Sequence, residues 1–317
     1  MNIGVIGSGF IVEIFVENSK MFNDFNLYGI WGRHLDKIKR FKDFKMYTTD
    51  INELLYDKNI DVVYVALPNS LHYEYAYKAL KAGKNVLLEK PFCSNYKQAK
   101  TLVDYAKRHK LFLFETIMTK YSSNYIKMKK YIKDIEDVKL IEINFSQYSR
   151  KYDKFKNGII LPAFDYKLDG GALMDLGVYS IHFVVGIFGK PKTVKYYPNI
   201  EKKVDTSGVL ILDYGKFKAV LAHAKDCSTK SFATIQGEKG YIKFNTTPSR
   251  CSNFDVIMND GKTISFNGND SEFAGWKALY NEFRKIYKNK DYEKCYEYLN
   301  ETLAVQKVLD EARNSIK

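Results

Sequence analysis

The stretch NVLLEKPF, residues 85–92, is an apolar run that ends in a glutamate, a lysine and a proline. The run has the composition of a buried strand, and lysine is among the costliest side chains to bury unpaired because desolvation disfavours its ammonium ion. Glu89 and Lys90 follow the strand directly, and Pro91 restricts the turn after them. The stretch therefore predicts either a ligand that requires a cation at the strand end or an ordinary surface charge.

The sequence around this strand alternates strands with helices over residues 1–120. Five segments have the length and composition of buried strands: NIGVIGSG, NLYGIWG, DVVYVALP, NVLLEKPF and LFLFETI. Apolar strands that alternate with amphipathic helices indicate a parallel sheet covered on both faces, the doubly wound α/β fold. Ligands of such sheets bind outside the carboxyl ends of the strands, which is where Glu89 and Lys90 are expected.

The pattern changes after residue 120. The segment DVKLIEINFSQYS places Ile141, Ile143 and Phe145 on one face, which is the period of a half-exposed strand. The later segments VDTSGVLILDYGKFKAVLAHAKD, FATIQGEKGYIKF and FDVIMNDGKTISF each indicate a hairpin. These residues predict a mostly antiparallel sheet that is open on one face.

Two helical segments close the chain, at about 273–288 and 293–315. No Gly/Ser-rich linker marks the boundary near residue 120, so the two parts are expected to share a cleft. We therefore expect a nucleotide-binding Rossmann domain over residues 1–120. Residues 121–317 are expected to form an α+β domain that binds substrate and mediates oligomerisation.

The composition is that of a soluble globular protein. The chain has 317 residues, of which 45% are hydrophobic, and its formal net charge is +13. The basic residues are spread along the chain without a nucleic-acid-binding motif, so we expect a solvated basic surface and no nucleic-acid partner. No signal peptide and no apolar stretch near the roughly 18 residues of a membrane span are evident, which predicts a cytoplasmic protein. The cysteines show no CxxC pair and no metal-ligand spacing, so we expect reduced thiols and no metal: Cys93, Cys227, Cys251 and Cys295.

The turn Gly7-Ser8-Gly9 lies between the first strand and a helix. In this context glycines permit the close approach of a pyrophosphate, and the helix N-terminus offers backbone N–H donors. Val12 occupies the third glycine position of the fingerprint, which loosens helix–sheet packing without blocking a phosphate. The turn predicts a dinucleotide site, with an ordinary tight turn as the alternative.

The end of the second strand reads WGRH, residues 31–34. A carboxylate at this point, about 20 residues after the glycines, normally receives the ribose 2′-hydroxyl of NAD. Gly32 stands in its place and Arg33 follows, so a 2′-phosphate meets no anion and finds a cation. This pair favours NADP over NAD, although an arginine here can also stack on the adenine.

The helical segment GALMDLGVYSIHFVVGIF, residues 171–188, is apolar nearly all round. Its exceptions, Asp175, Tyr179 and His182, stand at i, i+4 and i+7 and therefore share one stripe. A carboxylate, a phenol and an imidazole on an otherwise buried helix indicate the polar wall of a cleft. A structural hydrogen-bond network is the alternative.

These motifs together resemble a known family. The stretches DVVYVALPNSLHYEYAYKALKAGKNVLLEKPF (61–92) and GGALMDLGVYSIHFVVGIFG (170–189) are similar to the signature of the glucose–fructose oxidoreductase, inositol dehydrogenase and rhizopine-catabolism (Gfo/Idh/MocA) family. The resemblance runs over essentially the whole chain. Within the family, the sequence looks most like the branch that contains dihydrodiol dehydrogenase. It implies an NAD(P)-dependent oxidoreductase that acts on a secondary alcohol or carbonyl of a sugar, polyol or cyclic diol.

The resemblance also implies roles for particular residues. Lys90 matches the lysine beside the nicotinamide and the reacting hydroxyl, and Asp175 matches the aspartate of the family's Asp-x-x-x-His pair. Tyr179 stands where many members carry the histidine, as in the dihydrodiol dehydrogenase branch. Lys120 and Ser123 depart from an arginine and a proline that many relatives carry. The residues expected to contact the cofactor are Gly7, Ser8, Gly9, Phe10, Ile11, Arg33, Leu67, Asn69, His72 and Glu89.

The chemistry assigns one role to each catalytic candidate. A phenol with a pKa of about 10 is a poor base at neutral pH, but a lysine cation within about 4–6 Å favours the phenolate and a developing alkoxide. We therefore expect Tyr179 to be the acid/base, Lys90 its electrostatic partner and Asp175 the orienting group. His182 is expected to contact substrate, or alternatively to shuttle the proton itself.

Three other functions remain open at this point. The protein could be a cofactor-binding regulator without turnover, an enzyme that keeps its nucleotide bound for net non-redox sugar chemistry, or a nucleic-acid-binding protein. The segment 149–169 is expected to overhang the cleft with its lysines and aromatic residues. The open sheet face requires a cover, so a homodimer or homotetramer through this sheet is expected.

Overall fold

The computed structural model describes residues 1–268 and 274–316. The chain divides into two compact units, one formed by Met1–Thr116 with Tyr280–Asn300 and the other by Ile117–Leu279 with Glu301–Lys317. The functional division at residue 120, with cofactor binding before it and substrate binding after it, stays a prediction.

The first unit contains a six-stranded parallel sheet in the order β3-β2-β1-β4-β5-β6. Its strands are β1 (Asn2–Ile6), β2 (Asn26–Trp31), β3 (Met46–Thr48), β4 (Val62–Val65), β5 (Asn85–Leu88) and β6 (Leu113–Glu115). Its helices are α1 (Phe10–Ser19), α2 (Leu35–Lys39), α3 (Ile51–Tyr56), α4 (His72–Lys81) and α5 (Tyr96–Arg108). The strand order reverses between β1 and β4, which is the position where doubly wound sheets bind nucleotides.

The central strands of this sheet are buried throughout. All four residues of β4 and the last three of β5 are inaccessible to solvent, as expected when helices cover both faces of a parallel sheet. The predicted doubly wound fold is confirmed. The short strand β3 is an addition that the sequence did not predict.

The second unit contains an eight-stranded sheet in the order β14-β13-β12-β11-β7-β10-β9-β8. Its strands are β7 (Val138–Ser146), β8 (Thr193–Glu201), β9 (Val204–Asp213), β10 (Lys218–Ala224), β11 (Phe232–Gly237), β12 (Gly240–Phe244), β13 (Asn253–Met258) and β14 (Thr263–Asn267). Only the β7–β10 pair is parallel among the pairings of these described strands, so the predicted mostly antiparallel sheet and its three hairpins are confirmed. Strand β8 was not predicted.

The helices of this part are α6 (Ser123–Met128), α7 (Tyr152–Lys156), α8 (Val178–Phe188), α9 (Ala274–Lys288) and α10 (Tyr292–Asn314). Helix α8 packs on the face of the sheet that carries Ile141, Ile143 and Phe145, and these three residues belong to one buried core. Helices α9 and α10 are each divided between the two units, since Tyr280–Asn300 belongs to the first.

The segment Tyr166–Phe188 corrects one expectation. It is long and apolar enough, by length and composition, to cross a membrane, whereas the sequence analysis predicts no such stretch. Since 78% of its apolar window is buried inside the protein, it has the surroundings of a core element. Its middle, Leu173–Gly177, forms a π-helical turn in place of the continuous α-helix that was predicted.

Candidate active site

The turn after β1 has the geometry that a pyrophosphate requires. Gly7 has φ +135°, and a Cβ built on it would lie 2.3 Å from the carbonyl oxygen of Ala66, so only glycine fits there. Helix α1 starts at Phe10, and no side chain caps its first N–H groups. A Cβ built on Gly9 would meet no described atom within 4 Å, which leaves an open approach to these donors. The turn therefore fits a dinucleotide phosphate.

Val12, at the third glycine position, is fully buried in the core behind the turn. Ser8 lies at the turn's surface, and the guanidinium of Arg40 donates a hydrogen bond of 2.8 Å to its carbonyl oxygen. Arg40 also pairs with Glu13 on α1 at 2.6 Å. The sequence did not single out Arg40, because no local pattern places it beside a turn 32 residues away.

The ribose corner at the end of β2 contains Gly32 and the exposed Arg33. A Cβ on Gly32 would lie 2.6 Å from Cγ2 of Ile38, a residue of α2 that is fully buried. A carboxylate side chain at position 32 would therefore displace α2. The same Cβ would lie 3.9 Å from Cβ of Ser8, so the corner adjoins the glycine turn.

His72 joins the ends of β4 and β5. Its side chain is fully buried, with Nδ1 2.8 Å from the carbonyl oxygen of Pro91 and Nε2 2.8 Å from that of Leu67. Burial lowers the pKa of His72, while the two carbonyl contacts oppose this shift. Since both ring nitrogens are engaged, His72 acts on the site through the two turns that it connects. Asn69 opens the 3₁₀ turn between Leu67 and His72.

Glu89, the first charged residue after the strand in NVLLEKPF, is not a surface charge. Its side chain is buried, and Oε1 accepts hydrogen bonds of 2.6 Å from Tyr64 and 2.6 Å from Thr116. Oε2 accepts a bond of 3.2 Å from the backbone N–H of Lys90. Burial raises the pKa of Glu89, and these bonds and the Lys90 charge oppose the rise. Lys90 is half-buried and precedes a cis bond to Pro91.

In the second unit, Asp175 lies in the π-helical turn and Tyr179 in the first turn of α8. Oδ2 of Asp175 is 2.9 Å from Nζ of Lys225, whose side chain is 3% exposed against 39% for Asp175. The Tyr179 side chain is 8% exposed, and its ring packs edge-on against Phe145 at 5.9 Å between centroids. π-Helical turns are frequent at functional sites because they re-aim side chains.

His182 lies deeper than its two neighbours on the stripe. It is fully buried, with Nδ1 3.5 Å from Oε1 of Glu301. Nζ of Lys120 lies 4.0 Å from the same carboxylate oxygen. Burial alone would raise the pKa of Glu301, but Lys120 and His182 lower it to about 2. A substrate contact by His182 stays a prediction, and Lys120 has an internal ion-pair partner.

The second unit also shows a residue that the sequence analysis missed. Lys225 directly follows the apolar strand β10, as Lys90 follows β5, and the same signal could have identified it. Within the first unit, the glycine turn, the Leu67–His72 segment and Lys90 follow three adjacent strands, β1, β4 and β5, at one edge of the sheet.

The comparisons with known proteins agree with this geometry. Residues 1–116 match the model of the oxidoreductase family with an NAD-binding Rossmann fold, and residues 125–243 match the GFO/IDH/MocA C-terminal domain. The chain is 33% identical over 316 residues to scyllo-inositol 2-dehydrogenase (NADP(+)) IolU of Bacillus subtilis, covering 98% of this chain and 96% of that protein. It is 31% identical over 273 residues to trans-1,2-dihydrobenzene-1,2-diol dehydrogenase of Xenopus tropicalis, covering 83% and 78% respectively.

A solved structure shows the same fold. The 3-ketoreductase KijD10 of Actinomadura kijaniata, in complex with NADP and TDP-benzene, superposes with a TM-score of 0.87 at 20% sequence identity. The match covers 99% of this chain and 97% of that one. With the two family models matched over residues 1–116 and 125–243 and a relative 33% identical over 98% of the chain, the chain belongs to the Gfo/Idh/MocA oxidoreductase family.

Proposed function

We propose that this protein is an NADP-dependent dehydrogenase or reductase that acts on a secondary alcohol or carbonyl of a sugar, a polyol or a cyclic diol. The observation that carries the proposal is the sheet edge at which the glycine turn and Lys90 follow β1 and β5, with β4 between them. This edge combines a phosphate-binding turn with Lys90, whose backbone N–H donates a hydrogen bond to the buried Glu89. Relatives named as scyllo-inositol and dihydrobenzene-diol dehydrogenases support the substrate class.

The ribose corner supports NADP as the cofactor. Ile38 leaves no room for the carboxylate that would receive a 2′-hydroxyl, and Arg33 and Arg40 place two cations near the turn. The Bacillus subtilis relative is named for NADP(+), and the compared ketoreductase was solved with NADP. NAD remains the alternative cofactor because Arg33 could stack on the adenine without reading a phosphate.

The bound nicotinamide would supply the acceptor or donor of a hydride. During oxidation Tyr179 takes the proton of the substrate hydroxyl as the carbon loses its hydride, and during reduction it returns that proton to the oxygen. Lys90 stabilises the negative charge that develops on this oxygen. Asp175 accepts a hydrogen bond from a substrate hydroxyl and so orients the sugar.

A nucleotide titration of the purified protein tests the cofactor. We expect NADPH to bind more tightly than NADH, and Arg33→Ala to weaken NADPH binding by about 10-fold or more, since it removes a charge-assisted contact. NADH binding should change little in the same variant. A preference for NADH would contradict the inference of NADP specificity from Gly32 and Arg33, but the proposed dehydrogenase activity would still stand. Lys58→Ala, at an exposed residue, is the control.

Turnover on a panel of polyols, sugars and cyclic diols tests the enzyme. Cofactor binding without turnover on the whole panel would favour the cofactor-binding regulator. Nicotinamide that stays bound through gel filtration, with net non-redox products, would favour the enzyme that keeps its nucleotide. Reduction or oxidation of NADP with loss of activity in Lys90→Met would support the proposed function.

The open face of the second unit supports a homo-oligomer. Tyr197, Val209, Ala222, Asn144 and Phe232 stand directly opposite one another across five strands, β8, β9, β10, β7 and β11. Tyr197 is 61% exposed and Val209 36% exposed. We propose that a second copy of the chain covers this row as a homodimer or within a homotetramer.

The cytoplasm is the compartment we propose for this activity. Four free cysteines, three of them buried, suit a reducing environment.

A further inference from the structure

Lys225 is a buried cation that the proposed chemistry does not yet use. Beyond its contact of 2.9 Å with Asp175, its ammonium donates a hydrogen bond of 2.7 Å to the carbonyl oxygen of Ala163. The ammonium also lies 4.5 Å from the centroid of the Phe164 ring. Lys225 therefore contacts both the turn that carries Asp175 and the segment 149–169.

The turn that carries Asp175 and the segment 149–169 are also linked through the backbone by a hydrogen bond. The carbonyl oxygen of Ala163 also accepts a bond of 3.2 Å from the N–H of Gly171. A Cβ on Gly170 would lie 2.7 Å from the carbonyl oxygen of Pro162, so the chain passes close to itself here. Lys225 provides the charged contact of this junction.

Stability alone does not account for a lysine at this position. A buried ion pair contributes little to folding, because the desolvation of two charges offsets their attraction, and apolar replacements are often neutral or stabilising. Asp175 is different from Lys225 in that its side chain is 39% exposed. An exposed carboxylate samples several rotamers, and a fixed cation against Oδ2 holds it in one.

We propose that Lys225 is a positioning residue, which orients the Asp175 carboxylate towards the substrate and ties the 162–168 turn to it. The proposal rests on the proposed function only in that Asp175 contacts the substrate. The 162–168 turn and the turn that carries Asp175 are then coupled, so ordering of the first also orders the carboxylate.

A double-mutant cycle tests the proposal in the full-length protein. Lys225→Met keeps the length of the side chain and removes its charge, and it should lower kcat about 10- to 100-fold, the range expected from a misplacement of about 1 Å. Lys225→Arg should recover part of this loss. In an Asp175→Asn background Lys225→Met should cost less than about 3-fold, since its effect passes through Asp175. Equal losses in both backgrounds would overturn the proposal.

Lys84→Met is the matched control. Lys84 is also buried and donates bonds of 2.7 and 2.8 Å to the carbonyl oxygens of Asp57 and Ile60, which belong to the first unit. It should reduce thermal stability without changing kcat. A similar fall of kcat in Lys84→Met would show that loss of a buried lysine, rather than loss of positioning, explains the result.

Hydrogen exchange without substrate separates this proposal from the proposed function. Lys225→Met should increase exchange at the amides of residues 163–173 at least several-fold and leave the rest of the chain unchanged. Unchanged exchange at these amides would overturn the proposal that Lys225 ties the 162–168 turn to Asp175, even if the enzyme is active. Wild-type protein without any turnover would refute the proposed function. The exchange result would still show whether Lys225 couples the two turns. If Lys225→Met does not fold, Lys225→Arg and Lys225→Gln replace it in both measurements.

Discussion

Tyr179 and His182 stand three residues apart on α8 and have different surroundings. Tyr179 lies at the surface of the core beside Phe145, whereas His182 is fully buried against Glu301. The sequence placed both on one polar stripe but could not rank them, because the spacing of a helix shows which residues share a face and not how deep each lies. Depth depends on Glu301, which is 119 positions away from His182 in the chain.

Substitution of the two residues should give opposite results. Tyr179→Phe should lower kcat by about 10²- to 10⁴-fold, the usual contribution of an acid/base group, and leave the melting temperature nearly unchanged. His182→Asn should lower the free energy of unfolding by about 1–3 kcal/mol, because a buried charged partner loses its contact, and reduce kcat far less. Steady-state kinetics and thermal melts of both variants measure this difference. A larger kcat loss in His182→Asn would make the imidazole the proton shuttle.

The elements that bear these residues were predictable to different degrees. β4 and β5 were predicted because their continuous apolar runs match strands buried on both faces. The sequence predicts an α-helix over Leu173–Gly177, where the structure has a π-helical turn. A segment that is apolar all round has the same sequence pattern whether its backbone hydrogen bonds are α-helical or π-helical. Arg40 was missed because its partner, Ser8, lies far away in the sequence. Lys225 was missed although it directly follows the apolar strand β10, a local signal that could have identified it.

The contact between α8, α10 and the 3₁₀ turn Thr119–Tyr121 should depend on pH. Glu301 in α10 has its pKa lowered from 4.5 to about 2, although burial acts in the opposite direction, by Lys120 and His182. A carboxylate with a lowered folded-state pKa stabilises the protein above the unfolded value, and this contribution disappears as the pH falls from about 4.5 to about 2. Its size is at most about 3 kcal/mol.

Urea unfolding of wild type and Glu301→Gln measures this contribution. Glu301→Gln should be less stable than wild type at pH 7, and the difference should shrink as the pH falls through this window. Glu297→Gln, which removes an exposed carboxylate paired with Lys294 on the same helix, is the control and should show little difference at either pH. A difference between wild type and Glu301→Gln that stays constant down to pH 2 would contradict the assignment.

At the scale of the whole molecule, the sequence predicted two parts but not how the last helices are shared between them. Tyr280 belongs to the first unit, where its ring packs 5.6 Å from Phe15, 6.2 Å from Phe22 and 5.9 Å from Phe25. The periodicity of α9 shows that this helix has an apolar face, but it does not show which core receives that face. Such a pairing, across more than half of the chain, requires the tertiary structure.

The assembly of copies depends on the open face of the second unit. Tyr197 stands opposite Val209 at one end of the row of side chains across β8, β9, β10, β7 and β11, and a lysine in its place would put a desolvated charge into the proposed interface. Light scattering after gel filtration should give the wild type a mass of two or four times 36.8 kDa, and Tyr197→Lys a mass nearer to one chain. Tyr56→Lys is the matched control, because Tyr56 is 69% exposed on α3 of the first unit and should leave the mass unchanged. A wild type that runs as a single chain at micromolar concentration would reject the sheet face as a self-association surface.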